Sequence, residues 1–139
     1  MDCLFCKIVS GEIPAQIVYE DTYTIAFLDI NPINRGHVLV VPKEHCRDFS
    51  EASLDVLKNL TRTVKIVSES LASAVGADGF LVSTNNGTAA GQVVMHLHFH
   101  VIPRFKDDHL HSWSGKPYKD EQESNYVAES IIRSIKKEI

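Results

Sequence analysis

Three histidines occupy alternate positions in the run His96-Leu97-His98-Phe99-His100-Val101-Ile102. Side chains alternate along an extended strand, so the three imidazoles share one face while Leu97, Phe99 and Val101 take the other. Neighbouring imidazoles then lie roughly 6.8 Å apart along the backbone at ~3.4 Å per residue, close enough to act on one ligand. A neutral imidazole, with an ordinary pKa of about 6.5, can attack an electrophile, and it can also hold a metal ion. Three readings follow: polar residues on a solvent face, a metal site, or a nucleophile with its helpers. A purification tag is excluded, since the run is internal and interleaved with apolar residues.

A second constellation is Cys3-Leu4-Phe5-Cys6, a C-x-x-C pair on a predicted helical turn. By itself it stands open between metal binding and redox chemistry. Redox pairs usually follow a strand in a βαβ unit, and no strand precedes Cys3. Zinc takes four soft or borderline ligands, so two must come from elsewhere in the chain. His45 and His96 are the candidates, with Cys46 as a rival for one place. A Cys2His2 set leaves no open coordination position, which makes the expected zinc structural: it pins the N-terminal segment to the histidine strand.

The elements that must carry these groups are read from periodicity. Residues 3–9 form a short helical turn ended by Ser10-Gly11-Glu12-Ile13-Pro14. Residues 17–28 have strand character broken at Glu20-Asp21, which predicts a hairpin. Asn31-Pro32-Ile33-Asn34-Arg35-Gly36 is turn chemistry, and His37-Val38-Leu39-Val40-Val41 is a strand until Pro42 removes the next ladder donor. Over 53–75, Leu57, Leu60, Val64, Val67, Leu71 and Ala74 recur at spacings of three and four, with Gly76 as the stop, which predicts one long helix. Residues 80–84 form a short strand, 85–92 a loop rich in Gly and Asn, and 93–102 the histidine strand, ending at Pro103. In the tail, Val127, Ile131, Ile135 and Ile139 fall on one face of a helix over 122–139, with acids at its start and Lys136-Lys137 near its end, as the macrodipole favours. About five short strands, mostly joined to sequence neighbours, predict an α+β antiparallel meander with one long helix and a C-terminal helix.

With 139 residues, 44% hydrophobic and 23% charged, the chain has the composition of an ordinary globular domain and the length to build a core without staples. A formal charge of -4 and the lack of a basic stripe argue against nucleic acid as partner. The apolar runs are far shorter than the ~20 residues of a membrane span, so no membrane association is expected. No signal peptide is visible, and an odd count of three cysteines fits reduced thiols or a metal site, so the expected location is cytoplasmic.

The histidine run resembles the histidine triad (HIT) family of nucleotide hydrolases and transferases. Asp29-Ile30 after Ala26-Phe27-Leu28, Gly36-His37 opening Val38 to Lys43, and Asn85 seven residues before Gln92 are similar to that family in order and spacing. The likeness spans roughly residues 3–105, giving an expected HIT domain over 1–105 and a C-terminal extension over 106–139 packed on it. What the resemblance implies is a HIT-like fold and cleavage at the α-phosphorus of a purine nucleotide, either a nucleoside phosphoramidate or a dinucleoside polyphosphate. His98 would be the nucleophile, forming a nucleotidyl-histidine that water hydrolyses. His100 would donate to a phosphate oxygen, and His37 would orient the triad from behind. Asn85, Gly91, Gln92 and Val93 would line the phosphate, Val93 standing where many relatives have Ser. Asp29 would take the ribose hydroxyls, and Phe5, Ile8, Phe27, Leu28 and Ile30 would close on the base. Related zinc-bearing proteins use ligands like Cys3, Cys6, His45 and His96, the last lying two residues before the nucleophile. Pro103-Arg104 resembles the dinucleoside polyphosphate branch, whereas the short chain resembles the phosphoramidate branch. The resemblance also implies a homodimer, with Trp113 a candidate cap over a base. Two alternatives stand beside this reading: a zinc-stabilised nucleotide-binding adaptor with little turnover, and a metallohydrolase using all three histidines as ligands.

Overall fold

The structure, a computed structural model, describes residues 2–135. It falls into two compact units, one ending at Asp108 and one beginning at His109. In the first, helix α1 (Leu4–Val9) precedes strands β1 (Ile17–Glu20), β2 (Thr24–Leu28) and β3 (Val38–Pro42). Helix α2 (Leu54–Val75), strand β4 (Gly79–Ser83), a single 3-10 turn (Thr88–Ala90) and strand β5 (Phe99–Arg104) follow. In the second unit helix α3 (Glu121–Ser134) runs from an Asp120 cap. Its Tyr126, Ile131, Ile132 and Ile135 are exposed within that unit, and Lys136, Lys137 and Ile139 lie outside the described residues.

The five strands form one antiparallel sheet in the order β1-β2-β3-β5-β4. This is the expected α+β sheet, with one departure from neighbour order: α2 carries the chain from β3 to the outer edge, and β5 returns between β3 and β4. The two strand prolines, Pro42 in β3 and Pro103 in β5, sit where the ladder tolerates them. Pairing of β3 with β5 runs only from Val38↔Val101 to Val40↔Phe99, so Pro42 and Pro103 each lie beyond it with a neighbour on one side only.

Alternation along the strands builds two cores. Ala26, Val38, Val40, Leu97 and Val101 meet Leu60, Val64, Val67 and Leu71 of α2 on one face. Ile25, Phe27, Leu39 and Val41 meet Cys3, the N-cap of α1, and Phe5 and Ile8 within it on the other. Helix α2 forms as its periodicity predicts, capped by the Ser53 side chain on the Val56 N–H at 3.2 Å and closed by Gly76 in the left-handed region. Thr63 on its buried face meets Thr24 hydroxyl to hydroxyl at 2.7 Å, which satisfies both polar groups.

The histidine run differs from the sequence expectation in one respect. Regular strand begins only at Phe99, because the Leu97 N–H bonds the Cys46 carbonyl at 2.8 Å rather than a ladder partner. Alternation nonetheless survives: Leu97 and Val101 enter the α2-side core, and His96 and His98 lie on the α1 side beside Phe5.

Candidate active site and metal centre

The register sets the first pair of groups. Phe27 lies opposite Leu39, Leu39 opposite His100, and His100 opposite Ser83, so His100 joins the α1-side row of the sheet. His37, one residue before β3, reaches it with Nε2 at 3.0 Å from His100 Nδ1. The Ile33 N–H donates to His37 Nδ1 at 3.2 Å. That nitrogen must therefore be the lone-pair side of a neutral ring, so His37 carries its proton on Nε2 and donates it to His100 Nδ1. His100 then keeps its own proton on Nε2. Burial pushes the His37 imidazole below its ordinary pKa. Burial together with the neighbouring His98 and His37 takes His100 down to about 4, so this relay is neutral at pH 7.

His98 is oriented by a different acceptor. Its Nδ1–H donates to the His96 carbonyl at 2.7 Å, which leaves Nε2 as the lone-pair nitrogen. Burial lowers its pKa, opposed by that hydrogen bond and by Asp29. Phe5 stands edge-on to the ring with centroids 5.0 Å apart, and the Thr84 hydroxyl donates to the His98 carbonyl at 2.9 Å. An unprotonated, sterically fixed imidazole beside a second ring that offers an N–H can attack an electrophile whose oxygens the second ring stabilises.

The second cluster gathers Cys3, Cys6, His45 and His96, whose ligand atoms all lie within 4.8 Å of one another. Cys3 Sγ is 3.4 Å from His96 Nδ1, Cys6 Sγ is 3.4 Å from His45 Nδ1, and the two Nδ1 atoms are 3.1 Å apart. His96 Nε2–H donates to the Pro42 carbonyl at 2.8 Å, which turns its Nδ1 lone pair into the cluster. A tetrahedral zinc ion with ordinary N and S bond lengths puts its ligand atoms about 3.3 to 3.8 Å apart; this donor set fits the metal in chemistry, and the two Cys–His separations of 3.4 Å fall within that spacing, with the His45–His96 pair slightly closer at 3.1 Å. Burial and the neighbouring Cys3 raise the Cys6 thiol pKa, a cost that a bound cation removes. Cys46 belongs to the α2-side core, where burial, then the acids Glu51, Glu44 and Asp48, push its thiol up to about 11. It is core filler rather than a ligand. Asp29, His37 and His100 form another group within the same distance, which the His37–His100 hydrogen bond accounts for.

The remaining expected residues divide by contact. Asp29 faces the relay, with Oδ2 at 3.7 Å from His37 Nε2, while its Oδ1 accepts the Asn31 N–H at 2.8 Å. Phe5, Ile8 and Phe27 are buried in the α1-side core, Leu28 is on the border of exposure, and Ile30 and Val93 are 90% and 87% exposed. Gln92 is 4% exposed and spends its amide on main chain: both N–H groups go to the Arg47 and Val94 carbonyls, and Oε1 accepts the Gly87 N–H. It braces the 85–92 loop. Asn85 bonds the Ala90 carbonyl at 2.6 Å, and Gly91, at φ +91°, leaves room for that amide. Arg104 is engaged by Asp108 through two hydrogen bonds, and Trp113 is 96% exposed. Sequence reasoning missed the Ile33 amide and the Arg104–Asp108 pair. A main-chain donor leaves no mark in residue type, and the i, i+4 spacing of Arg104 and Asp108 is a pairing signal only on a helix, whereas Arg104 ends strand β5.

A family model described as the HIT domain matches residues 10–107. An uncharacterised HIT-like protein of Methanocaldococcus jannaschii is 46% identical over 134 residues, covering 96% of this chain and 98% of its own. An adenosine 5'-monophosphoramidase of Schizosaccharomyces pombe is 38% identical, covering 98% of this chain and all of its own. A crystal structure from Streptococcus mutans superposes with a TM-score of 0.92 at 41% identity, covering 97% of this chain and 86% of the other. A zinc-bound histidine triad protein from Mycobacterium smegmatis does so with a TM-score of 0.76 at 36% identity, covering 96% and 97%. With the family model spanning most of the chain and relatives matching over nearly their full length, the chain belongs to the histidine triad (HIT) domain family.

Proposed function

We propose that this chain is a nucleotide-binding hydrolase or transferase acting at the α-phosphorus of a purine nucleotide, with His98 as nucleophile. The observation that carries this reading is the 2.7 Å hydrogen bond from His98 Nδ1–H to the His96 carbonyl, which leaves Nε2 unprotonated beside the His100 ring. His98 Nε2 forms a bond to phosphorus as the bond to the leaving group breaks, and the departing group takes the electron pair. His98 becomes a cation whose Nδ1–H the His96 carbonyl stabilises, and His100 Nε2–H donates to a phosphate oxygen. Water then attacks phosphorus, the P–N bond returns its electrons to His98, and the nucleoside monophosphate leaves. The S. pombe relative supports a phosphoramidate as one substrate type. Incubation with an adenosine phosphoramidate and with a dinucleoside polyphosphate, measuring AMP release, tests the activity and separates these substrates. No AMP from either favours the binding-adaptor alternative.

Within this reading Asp29 accepts from ribose hydroxyls, Phe5, Ile8, Phe27, Leu28 and Ile30 flank the base, and Asn85, Gly91 and Val93 border the phosphate, with Gln92 holding their loop. A zinc ion held by Cys3, Cys6, His45 and His96 would be structural, tying α1 to the histidine segment. Three cysteines outside any disulfide fit a reducing, cytoplasmic setting. A homodimer is proposed because β4 is an outer strand whose Phe80, Leu81 and Val82 are all exposed, an edge that needs covering.

A further inference from the structure

The turn between β2 and β3 delivers His37 to the site, and it is fastened at one residue. Asn34 Nδ2 donates to the Pro103 carbonyl at 2.8 Å and approaches Asp108 Oδ2 at 3.2 Å, while its own carbonyl accepts the His37 N–H at 3.1 Å. Asp108 is held behind it: its carboxylate is 7% exposed and accepts from Arg104 Nε at 2.7 Å, Arg104 Nη2 at 3.1 Å and the Phe105 N–H at 3.0 Å. Next to Asn34 stand Ile33, whose N–H aims at His37 Nδ1, and Gly36, at φ +95°, where a Cβ would meet Val75 Cγ1 at 3.1 Å. The turn is therefore seated between the end of α2 and the end of β5, with a side-chain peg at Asn34.

We infer that Asn34, backed by Asp108, is a positioning residue that sets the tautomer of His37 and, through it, that of His100. The inference rests on the proposed role of His100 as a phosphate donor. While the peg holds, the Ile33 amide occupies His37 Nδ1 and the proton stays on Nε2, so His37 donates to His100 Nδ1 and His100 keeps its proton on Nε2. When the peg is lost the amide drifts, and His37 can place its proton on Nδ1 instead. His37 Nε2 then becomes an acceptor, and the bond between the two rings survives only if His100 moves its own proton to Nδ1. His100 would thereby turn a lone pair towards the phosphate oxygens, replacing a donor by a repulsive contact. One side-chain amide remote from the phosphate would in this way decide whether the site has a donor there.

Two-dimensional long-range proton–nitrogen NMR on the nucleotide-free, full-length protein reads both tautomers. In the wild-type chain His37 and His100 are each expected as Nε2–H; finding His37 protonated on Nδ1 overturns the inference without any variant. In Asn34→Ala, and more strongly in Asn34→Asp, which exchanges donors for acceptors, the Nδ1–H form of both rings should rise. Over the same pair kcat should fall about ten- to a hundredfold, the size of a partial loss of one transition-state donor, with KM within about twofold. A lowered Tm with unchanged tautomers and kcat would show a purely structural role and overturn the inference. Failure of the underlying reading has a separate signature: no nucleotidyl adduct on wild-type His98, whatever the tautomers of His37 and His100.

Discussion

His96 and His98 are joined by a hydrogen bond that runs from one functional cluster to the other. The His98 Nδ1–H donates to the carbonyl of His96 at 2.7 Å, and the side chain of the same His96 turns its Nδ1 to the two cysteines and His45. Phe5 lies between the two cysteines in sequence and packs against both rings. Whatever fixes His96 thus fixes the acceptor that sets the His98 tautomer.

Loss of the metal ligands should therefore be felt in stability first. Elemental analysis is expected to find about one zinc per chain, as a single four-ligand site requires. Cys3→Ser should lower both that ratio and the Tm, the latter by about 10 °C if roughly 3 kcal/mol of metal-linked stability is lost in a chain of this length. A full zinc complement in the variant would remove Cys3 from the ligand set.

The pH dependence of stability follows from the relay. Unfolded imidazoles titrate near 6.5, about their ordinary value, whereas His100 in the fold protonates only at about 4, and His37 is also depressed by burial. Between these values the unfolded chain binds more protons than the folded one. The stabilisation is complete above about 6.5, is lost as the pH falls through this window, and stops changing below about 4. Urea melts from pH 8 to 4 should show that slope for the wild type and a shallower one for His100→Gln; identical slopes would contradict the depressed pKa.

Gln92 offers a test of bracing against phosphate contact. Gln92→Glu keeps the shape but removes both amide donors from the Arg47 and Val94 carbonyls, at a cost of about 1 to 3 kcal/mol for buried groups left unpaired. Thermal melts should show a Tm lower by about 3 to 9 °C. An unchanged Tm with a raised KM would instead make Gln92 a phosphate ligand.

Asp29→Ala should raise the KM for ribonucleotides more than for the 2'-deoxy analogues, because a carboxylate that accepts from ribose hydroxyls matters only when they are present. Equal effects on both sugars would leave Asp29 with the His37 and His100 relay alone.

Legibility in the sequence depended on what kind of contact held each group. The alternation of His96, His98 and His100 and the periodicity of α2 were readable because side-chain direction follows from backbone repeat alone. The Cys3, Cys6, His45 and His96 set was readable from ligand chemistry, and the fold brings those four together. Where a main-chain group decides, residue type is silent. The Ile33 amide on His37 and the Cys46 carbonyl that delays β5 until Phe99 are of this kind, as are the Arg47 and Val94 carbonyls that occupy Gln92. Ile30 and Val93 show a further limit, since an apolar residue expected to cover a ligand is exposed when the fold alone gives it nothing to meet.

Whether His98 is the nucleophile is read by mass spectrometry of the protein quenched in acid-free denaturant during turnover of an adenosine phosphoramidate. The expected result is a single adenylyl adduct on the peptide containing His98, absent in His98→Ala, whose rate should fall below about a hundredth of wild type. An adduct on His96 or His100, or a His98→Ala enzyme retaining more than that fraction of the rate, would rule His98 out as the nucleophile.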